Sequence, residues 1–341
     1  MRMWRIGLVG FGNVNRTLLR LIESRRDELR ARHGIDVRLT LVASRRRGAR
    51  VDEAGLRAEE VLDEKWSGGA GTLQAIREAP VDLIFEGTTL DPATGEPATS
   101  HVREALARGV AVVSANKGPL AFAARDLLLL ARRTGAGFRF ESAVADCLPV
   151  FDLFEVAVPV GEMVAFEGVL NSTSNLVLQA VARGGGLEAA VREAQRQGIA
   201  EADPSNDLDG WDQAVKAVIV SNVIFGADLR PKDVERTPLS AVDLDWLRAE
   251  ESRGRTVRLC ASGGRGLPAR VAPRSFAAGS FLATLGGGSL GIEFETELAG
   301  SIQVASSDPG VPHTAYGMLT DLVAIHQGRL MVPSPLVGGA A

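Results

Sequence analysis

Lysine is scarce in this chain. It stands only at positions 65, 117, 216 and 232, and arginine supplies the other 34 of the 38 basic residues. Where Arg serves almost everywhere, a retained Lys marks a place that wants a compact donor or a group able to exchange a proton. Lys65 and Lys232 read as leftovers on solvated faces. Lys117 and Lys216 keep richer company. Lys216 follows the densest acidic cluster, Glu201, Asp203, Asp207, Asp209 and Asp212, punctuated by Pro204 and Gly210. A helical pattern opens near Trp211, so Asp212 and Lys216 become i, i+4 neighbours. Their stripe continues through Ile219 and Val223, which sets the pair in line with an apolar face and suits it to proton transfer. Taken alone, the segment also reads as a helix ion pair beneath an acidic loop. Lys117 lies in Val113-Ser114-Ala115-Asn116-Lys117-Gly118-Pro119, where Gly118-Pro119 is expected to end a strand sharply. An ammonium there can hydrogen-bond a carbonyl or alcohol oxygen.

A second kind of chemistry is written near the start. Gly10-Phe11-Gly12-Asn13-Val14-Asn15 follows the first strand pattern and resembles the dinucleotide fingerprint. Gly10 makes the tight turn, and Gly12 lets backbone approach a pyrophosphate on the N-terminus of the next helix. Asn15 replaces the third glycine, which should loosen helix–strand packing slightly. After the second strand, an NAD site usually offers an acid to the ribose hydroxyls. Here stands Ser44-Arg45-Arg46-Arg47 instead. Hydroxyl and guanidinium groups suit the 2′-phosphate of NADP, with NAD as the alternative if the run is merely a solvated basic turn. The residues expected to hold the cofactor are Gly10, Gly12, Asn13, Val14, Ser44, Arg45, Thr88, Ser114 and Lys117.

The elements that must position these groups alternate in the first half. Strand patterns fall at residues 4–9, 37–43, 81–85, 110–114 and 137–141, with helices at 14–32, 100–108 and 120–132. Alternation of this kind predicts an α/β fold with a Rossmann-type doubly wound parallel sheet. The second half mixes a strand at 164–171, helices at 173–182, 187–197 and 211–225, and later strands at 255–261, 269–273, 290–298 and 301–305. The last pair is joined by a turn at Ala299-Gly300. Such a mixture predicts an α+β domain. The expected division is residues 1–136 for nucleotide binding, completed by a C-terminal helical segment at about 311–341. Residues 137–310 form a catalytic and dimerisation domain.

Composition narrows the classes further. Hydrophobic residues make up 45% and charged residues 23% of the 341, as in a soluble globular protein. A formal charge of −4 gives no electrostatic reason to expect a nucleic-acid or membrane partner. Cys147 and Cys260 lie too far apart in sequence for a disulfide framework, and the N-terminus runs straight into a strand without a leader, so a cytoplasmic location is expected. The histidines His33, His101, His313 and His326 show no metal-ligand spacing and read as ordinary surface or helix residues.

Three segments together point to one family. They are Asn116-Lys117-Gly118-Pro119, Gly168-Val169-Leu170-Asn171-Ser172-Thr173-Ser174-Asn175, and Glu201-Ala202-Asp203-Pro204 continuing through Asp207 and Asp212 to Lys216. With the fingerprint, Thr314-Ala315 and Asp321-Leu322, their order and spacing resemble homoserine dehydrogenase over nearly the whole chain. The match is to a short form, without a fused aspartate kinase or an ACT domain. This resemblance implies reversible NAD(P)-dependent conversion of L-homoserine to L-aspartate 4-semialdehyde, towards threonine and methionine. It implies Lys216 as the proton-transfer group, Lys117 beside cofactor and substrate, and Asp212 as a pocket carboxylate. Glu201 would hold the substrate amino group, with Asp207 and Thr173 also binding substrate. A homodimer is implied too.

One segment departs from the pattern. Where the family carries glycines, Glu141-Ser142-Ala143-Val144-Ala145-Asp146-Cys147-Leu148-Pro149 has Ala, Asp and Cys. A monovalent cation (sodium or potassium) held in relatives by this loop would here use Glu141, Val144, Asp146 and Leu148. Cys147 is either packing or a thiol made reactive by nearby lysines. The altered loop leaves two alternatives open: a relative acting on another small amino- or hydroxy-aldehyde, or a catalytically silent nucleotide-binding protein.

Overall fold

The computed structural model describes residues 1–63, 65–197, 199–332 and 334–337. Pro333 and residues 338–341, part of the expected C-terminal segment, lie outside the described residues, as does Gly198 in the acidic stretch. The chain divides into two compact units, one of Met1–Cys147 with Gly310–Ala341 and one of Leu148–Pro309.

The first unit is built on a six-stranded sheet. Its strands are β1 (Arg2–Val9), β2 (Ile35–Ser44), β3 (Gly48–Val51), β4 (Leu83–Glu86), β5 (Ala111–Ser114) and β6 (Phe138–Arg139), in the order β3-β2-β1-β4-β5-β6. All pair in parallel except β3, which turns back on β2. Leu83, Ile84 and Phe85 are fully buried. An unbroken apolar run of this kind fits a parallel strand covered on both faces. Strand order reverses between β1 and β4, the point at which doubly wound sheets open a crevice at their carboxyl ends. Helices Asn13–Ser24 and Val311–His326 pack together, and Leu18, Ile22, Met318 and Leu322 share one core with Ile6, Leu8 and Phe85. A buried ion pair of Arg139 and Asp321 at 3.2 Å ties the second helix to β6.

Three local expectations need correction. The pattern at 14–32 is not one helix. Asn13–Ser24 ends at Arg25, and a short coil of helix then closes at Gly34 in the left-handed region. Arg26 and Arg30 hold the break by pairing with the buried Asp36 at 2.9 and 3.0 Å. Gly118-Pro119 does not terminate a strand but opens the helix Gly118–Thr134, where proline fits the first turn. Asn15 does not loosen the packing. Fully buried, its Nδ2 donates to the carbonyls of Val9 (2.9 Å), Gly10 (3.1 Å) and Phe85 (3.4 Å), which stitches the ends of β1 and β4.

The second unit has a mixed sheet. β7 (Met163–Val169), β8 (Glu235–Arg236), β9 (Thr256–Gly264), β10 (Leu267–Phe276), β11 (Leu290–Thr296) and β12 (Gly300–Ser306) run in the order β12-β11-β7-β9-β10-β8. Only the β8–β10 pair is parallel among them. The β11–β12 turn is longer than expected, residues 297–299 with Gly300 left-handed after them. Helix Trp211–Phe225 is buried continuously from Gln213 to Ile224, so it is enclosed on all sides and not merely along one stripe. Glycines in the left-handed region, Gly210 and Gly226, bound it at both ends.

Candidate active site

Lys216, the candidate proton-transfer residue, is carried inward by this enclosed helix. The residue is 8% exposed. Burying an ammonium is costly unless it is paired and hydrogen-bonded. Lys216 meets both conditions: its Nζ lies 2.8 Å from Asp212 Oδ2, one turn back, and donates to the Leu170 carbonyl just beyond β7. The i, i+4 spacing seen in the sequence is thus a buried contact. Asp212 in turn accepts at 2.9 Å from Asn171 Nδ2, which also donates to Asp207 Oδ1 at 2.8 Å. One amide therefore bridges two carboxylates.

Asn171 does more than bridge. Its Oδ1 accepts from Ser174 N at 2.8 Å and Ser174 Oγ at 2.9 Å, capping helix Ser172–Ala182. The Asn-Ser-Thr segment was legible as a motif, but Asn171 was not among the expected site residues. Its tell was available, since an Asn ahead of a helical pattern three residues from a serine is a cap signal. Burial, and then the like charge of Asp212, push the Asp207 carboxyl above its ordinary range, while Asn171, Lys216 and Thr173 pull it back. Thr173 is buried beside this set and donates to the Ile199 carbonyl at 3.2 Å. Glu201 lies apart. It is exposed on the loop ahead, where its carbonyl accepts from Gln195.

In the first unit the expected cofactor residues gather at the carboxyl ends of the strands. Gly10 has φ +81, and a Cβ there would lie 2.5 Å from Thr88 N, so the protein itself demands glycine. Gly12 is different. A Cβ on it would meet nothing within 4 Å, so any demand for glycine comes from outside the chain. It caps helix Asn13–Ser24 without a side-chain cap, and no acid occupies the first turn. The free N–H groups and the helix dipole are left for an anion, and these residues fit a dinucleotide pyrophosphate. Ser44 closes β2 and its Oγ accepts from Arg47 N at 3.2 Å, while Arg45 and Arg46 are exposed. Ser114 is buried, with Oγ donating to the Asn116 carbonyl. Lys117 stands at the head of helix Gly118–Thr134.

The departing loop shows where its unusual side chains go. Asp146 adopts φ +58, a conformation favouring glycine, and its carboxylate accepts from the Thr314 hydroxyl. Its carbonyl lies against Gly317, where an added Cβ would come within 2.7 Å. Glu141 and Val144 are buried, and Leu148 begins the second unit, also buried. Among the described residues no group of three His, Cys, Asp or Glu side chains is arranged to hold a metal. Burial, then the charge of Asp146, push the Cys147 thiol up. That direction is the opposite of activation by lysines. No described helix is long and apolar enough to cross a membrane.

Comparison with known proteins gives the family. Residues 149–323 match the family model described as homoserine dehydrogenase, and residues 10–141 match that of the homoserine dehydrogenase NAD-binding domain. An NAD(+)-dependent homoserine dehydrogenase of Pseudomonas canavaninivorans is 35% identical, over 96% of this chain and 97% of the relative. The crystal structure of homoserine dehydrogenase from Thermoplasma acidophilum has a TM-score of 0.81 at 27% identity, covering 96% of this chain and all (100%) of that one. A hyperthermophilic archaeal homoserine dehydrogenase in complex with NADPH has a TM-score of 0.82 at 25% identity, covering 98% and 99%. Matched over both halves and at nearly full length, the chain belongs to the homoserine dehydrogenase family, NAD(P)-dependent oxidoreductases with a Rossmann domain.

Proposed function

We propose that this homoserine dehydrogenase interconverts L-homoserine and L-aspartate 4-semialdehyde with NADP as its preferred dinucleotide. The bound nicotinamide supplies the hydride acceptor for the alcohol carbon and the donor in reverse. All else falls to the chain. Lys216 exchanges the proton of the substrate oxygen, and its anchorage to Asp212 and the Leu170 carbonyl fixes the ammonium in place. Asp207, Thr173 and Glu201 bind the substrate, with Glu201 on its amino group. Lys117, at a strand end of the nucleotide-binding unit, orients oxygen beside the nicotinamide. The observation that carries this reading is a buried lysine held between a carboxylate and a carbonyl, beside a second carboxyl raised by burial.

Names of relatives point to both dinucleotides, NAD(+) in the Pseudomonas enzyme and NADPH in the archaeal complex. The chain's own residues favour NADP, because β2 ends in Ser44-Arg45-Arg46 with no acid to receive the ribose hydroxyls. For a monovalent cation the fit is incomplete. Glu141 carries a buried carboxyl, but the Asp146 carboxylate already accepts from the Thr314 hydroxyl, and the proposed chemistry gives the ion no part. By the same reading the enzyme serves threonine and methionine biosynthesis in the cytoplasm as a homodimer. Nucleotide binding belongs to the first unit, chemistry and dimerisation to the second. The test is nicotinamide absorbance with L-homoserine and either dinucleotide. Turnover with NADP at lower KM than with NAD supports the proposal, and Arg45→Asp should then erase the preference. No reduction of either dinucleotide would overturn it.

A further inference from the structure

The first unit contains a buried polar chain that neither hydride transfer nor substrate binding uses. Glu86, the last residue of β4, is fully buried, and His101 on helix Ala98–Ala107 is 5% exposed. His101 Nδ1 lies 3.3 Å from Glu86 Oε1, so that nitrogen donates when Glu86 is ionised. The same carboxylate accepts from the Thr88 hydroxyl at 2.5 Å and from the Thr88 N–H at 3.3 Å. Asn116 Nδ2 then donates to the Thr88 carbonyl at 2.9 Å and to its Oγ1 at 3.2 Å. On its other side, Asn116 Oδ1 accepts from Gly118 N at 2.8 Å. Lys117 sits inside that last loop.

A buried carboxylate–imidazole contact is a poor device for stability, because desolvation of its polar groups offsets its attraction. Its geometry indicates another use. Thr88 is the residue against which Gly10 turns, 2.5 Å from where a Gly10 Cβ would stand. Glu86 therefore fixes the floor of the nucleotide loop and, through Asn116, the turn that presents Lys117. We propose that Glu86 and His101 are positioning residues, setting the nucleotide loop and Lys117 in register with each other. This rests on the dinucleotide reading above.

The experiment compares Glu86→Leu with Glu86→Gln, and His101→Leu with His101→Gln, by NADPH fluorescence titration, steady-state kinetics and thermal melting. Loss of a charge-assisted hydrogen bond corresponds to about a tenfold weaker Kd. Glu86→Leu is expected to weaken NADPH binding at least that much and to lower kcat, with the homoserine KM at saturating cofactor little changed. Glu86→Gln keeps an acceptor for Thr88 and should recover most of both losses. If Glu86→Leu does not fold, the His101 pair decides by the same readings, since glutamine can still donate to Glu86 and leucine cannot. A folded leucine variant with unchanged Kd and kcat, or a glutamine variant no better than leucine, overturns the positioning role. Failure of the unaltered protein to bind NADPH would instead overturn the dinucleotide reading itself.

Discussion

Lys216→Met keeps the length of the side chain and removes its ammonium. A positioned general acid or base contributes about 10²–10⁴ in rate, and kcat should fall by that factor while NADPH titrates as before. Near-normal turnover in the purified variant would remove Lys216 from the mechanism. Asn171 calls for a subtler change. Asn171→Ser retains an N-cap for helix Ser172–Ala182 but deletes the amide that bridges Asp207 and Asp212 and pulls the Asp207 carboxyl down. Burial and Asp212 already raise Asp207, so loss of the amide raises it further. The substrate contact proposed for Asp207 is made by its carboxylate form. The acid limb of kcat/KM for homoserine should therefore move to higher pH. An unmoved limb would show that Asp207 does not report on substrate. The sign for stability is the reverse. A carboxyl raised in the folded state favours folding below its unfolded value, and that contribution is lost as pH rises through the folded one. Asp207→Asn should thus melt no lower than the unaltered protein at neutral pH while homoserine turnover collapses.

At the scale of elements, much was readable because periodicity and punctuation agreed. The strands β1, β2, β4 and β5 and the helix Trp211–Phe225 carry their burial in their own sequence. What escaped depended on tertiary partners. The break after Ser24 takes its place from two arginines converging on Asp36, and no local signal announces it. The strand expected at 137–141 is present but shrinks to the two residues of β6. The site divides in the same way: Lys216 and Asp212 were visible as a helical pair, whereas the bridging role of Asn171 needs a loop brought in from forty residues away. The two glycines of the nucleotide loop make the contrast testable. Gly10→Ala forces a side chain into φ +81 against Thr88 and should cost about 1–3 kcal/mol of stability as well as NADPH binding. Gly12→Ala points its methyl into open space. Its melting temperature should stay at that of the unaltered protein, while NADPH binding weakens about tenfold or more because the pyrophosphate loses its approach. Equal NADPH affinity in a folded Gly12→Ala protein would mean that the phosphates lie elsewhere.

For the whole molecule, the open question is what covers β12. This strand is the edge of the second sheet, and its seven residues, Gly300–Ser306, contain no charged residue and no proline. Proteins usually blunt an exposed edge with lysine, proline or a bulge, since an unprotected row of N–H and C=O groups recruits another strand. Ile302 and Val304 are half-buried on one face, while Gln303 and Ala305 are exposed on the other. Pairing of β12 with its counterpart in a second copy would satisfy that edge and account for its composition, giving the proposed homodimer a physical site. Lysines at 303 and 305 would fall on exposed positions, so the fold of each copy should tolerate them. Across a two-fold axis they would place like charges within cross-strand reach, roughly 4.5–5.5 Å apart for directly opposed Cβ atoms. Sedimentation velocity on Gln303→Lys/Ala305→Lys should therefore show monomers where the unaltered protein sediments as a dimer, with far-UV circular dichroism unchanged. A double-lysine variant that remains dimeric would move the interface away from β12, and a monomeric unaltered protein would dismiss the dimer.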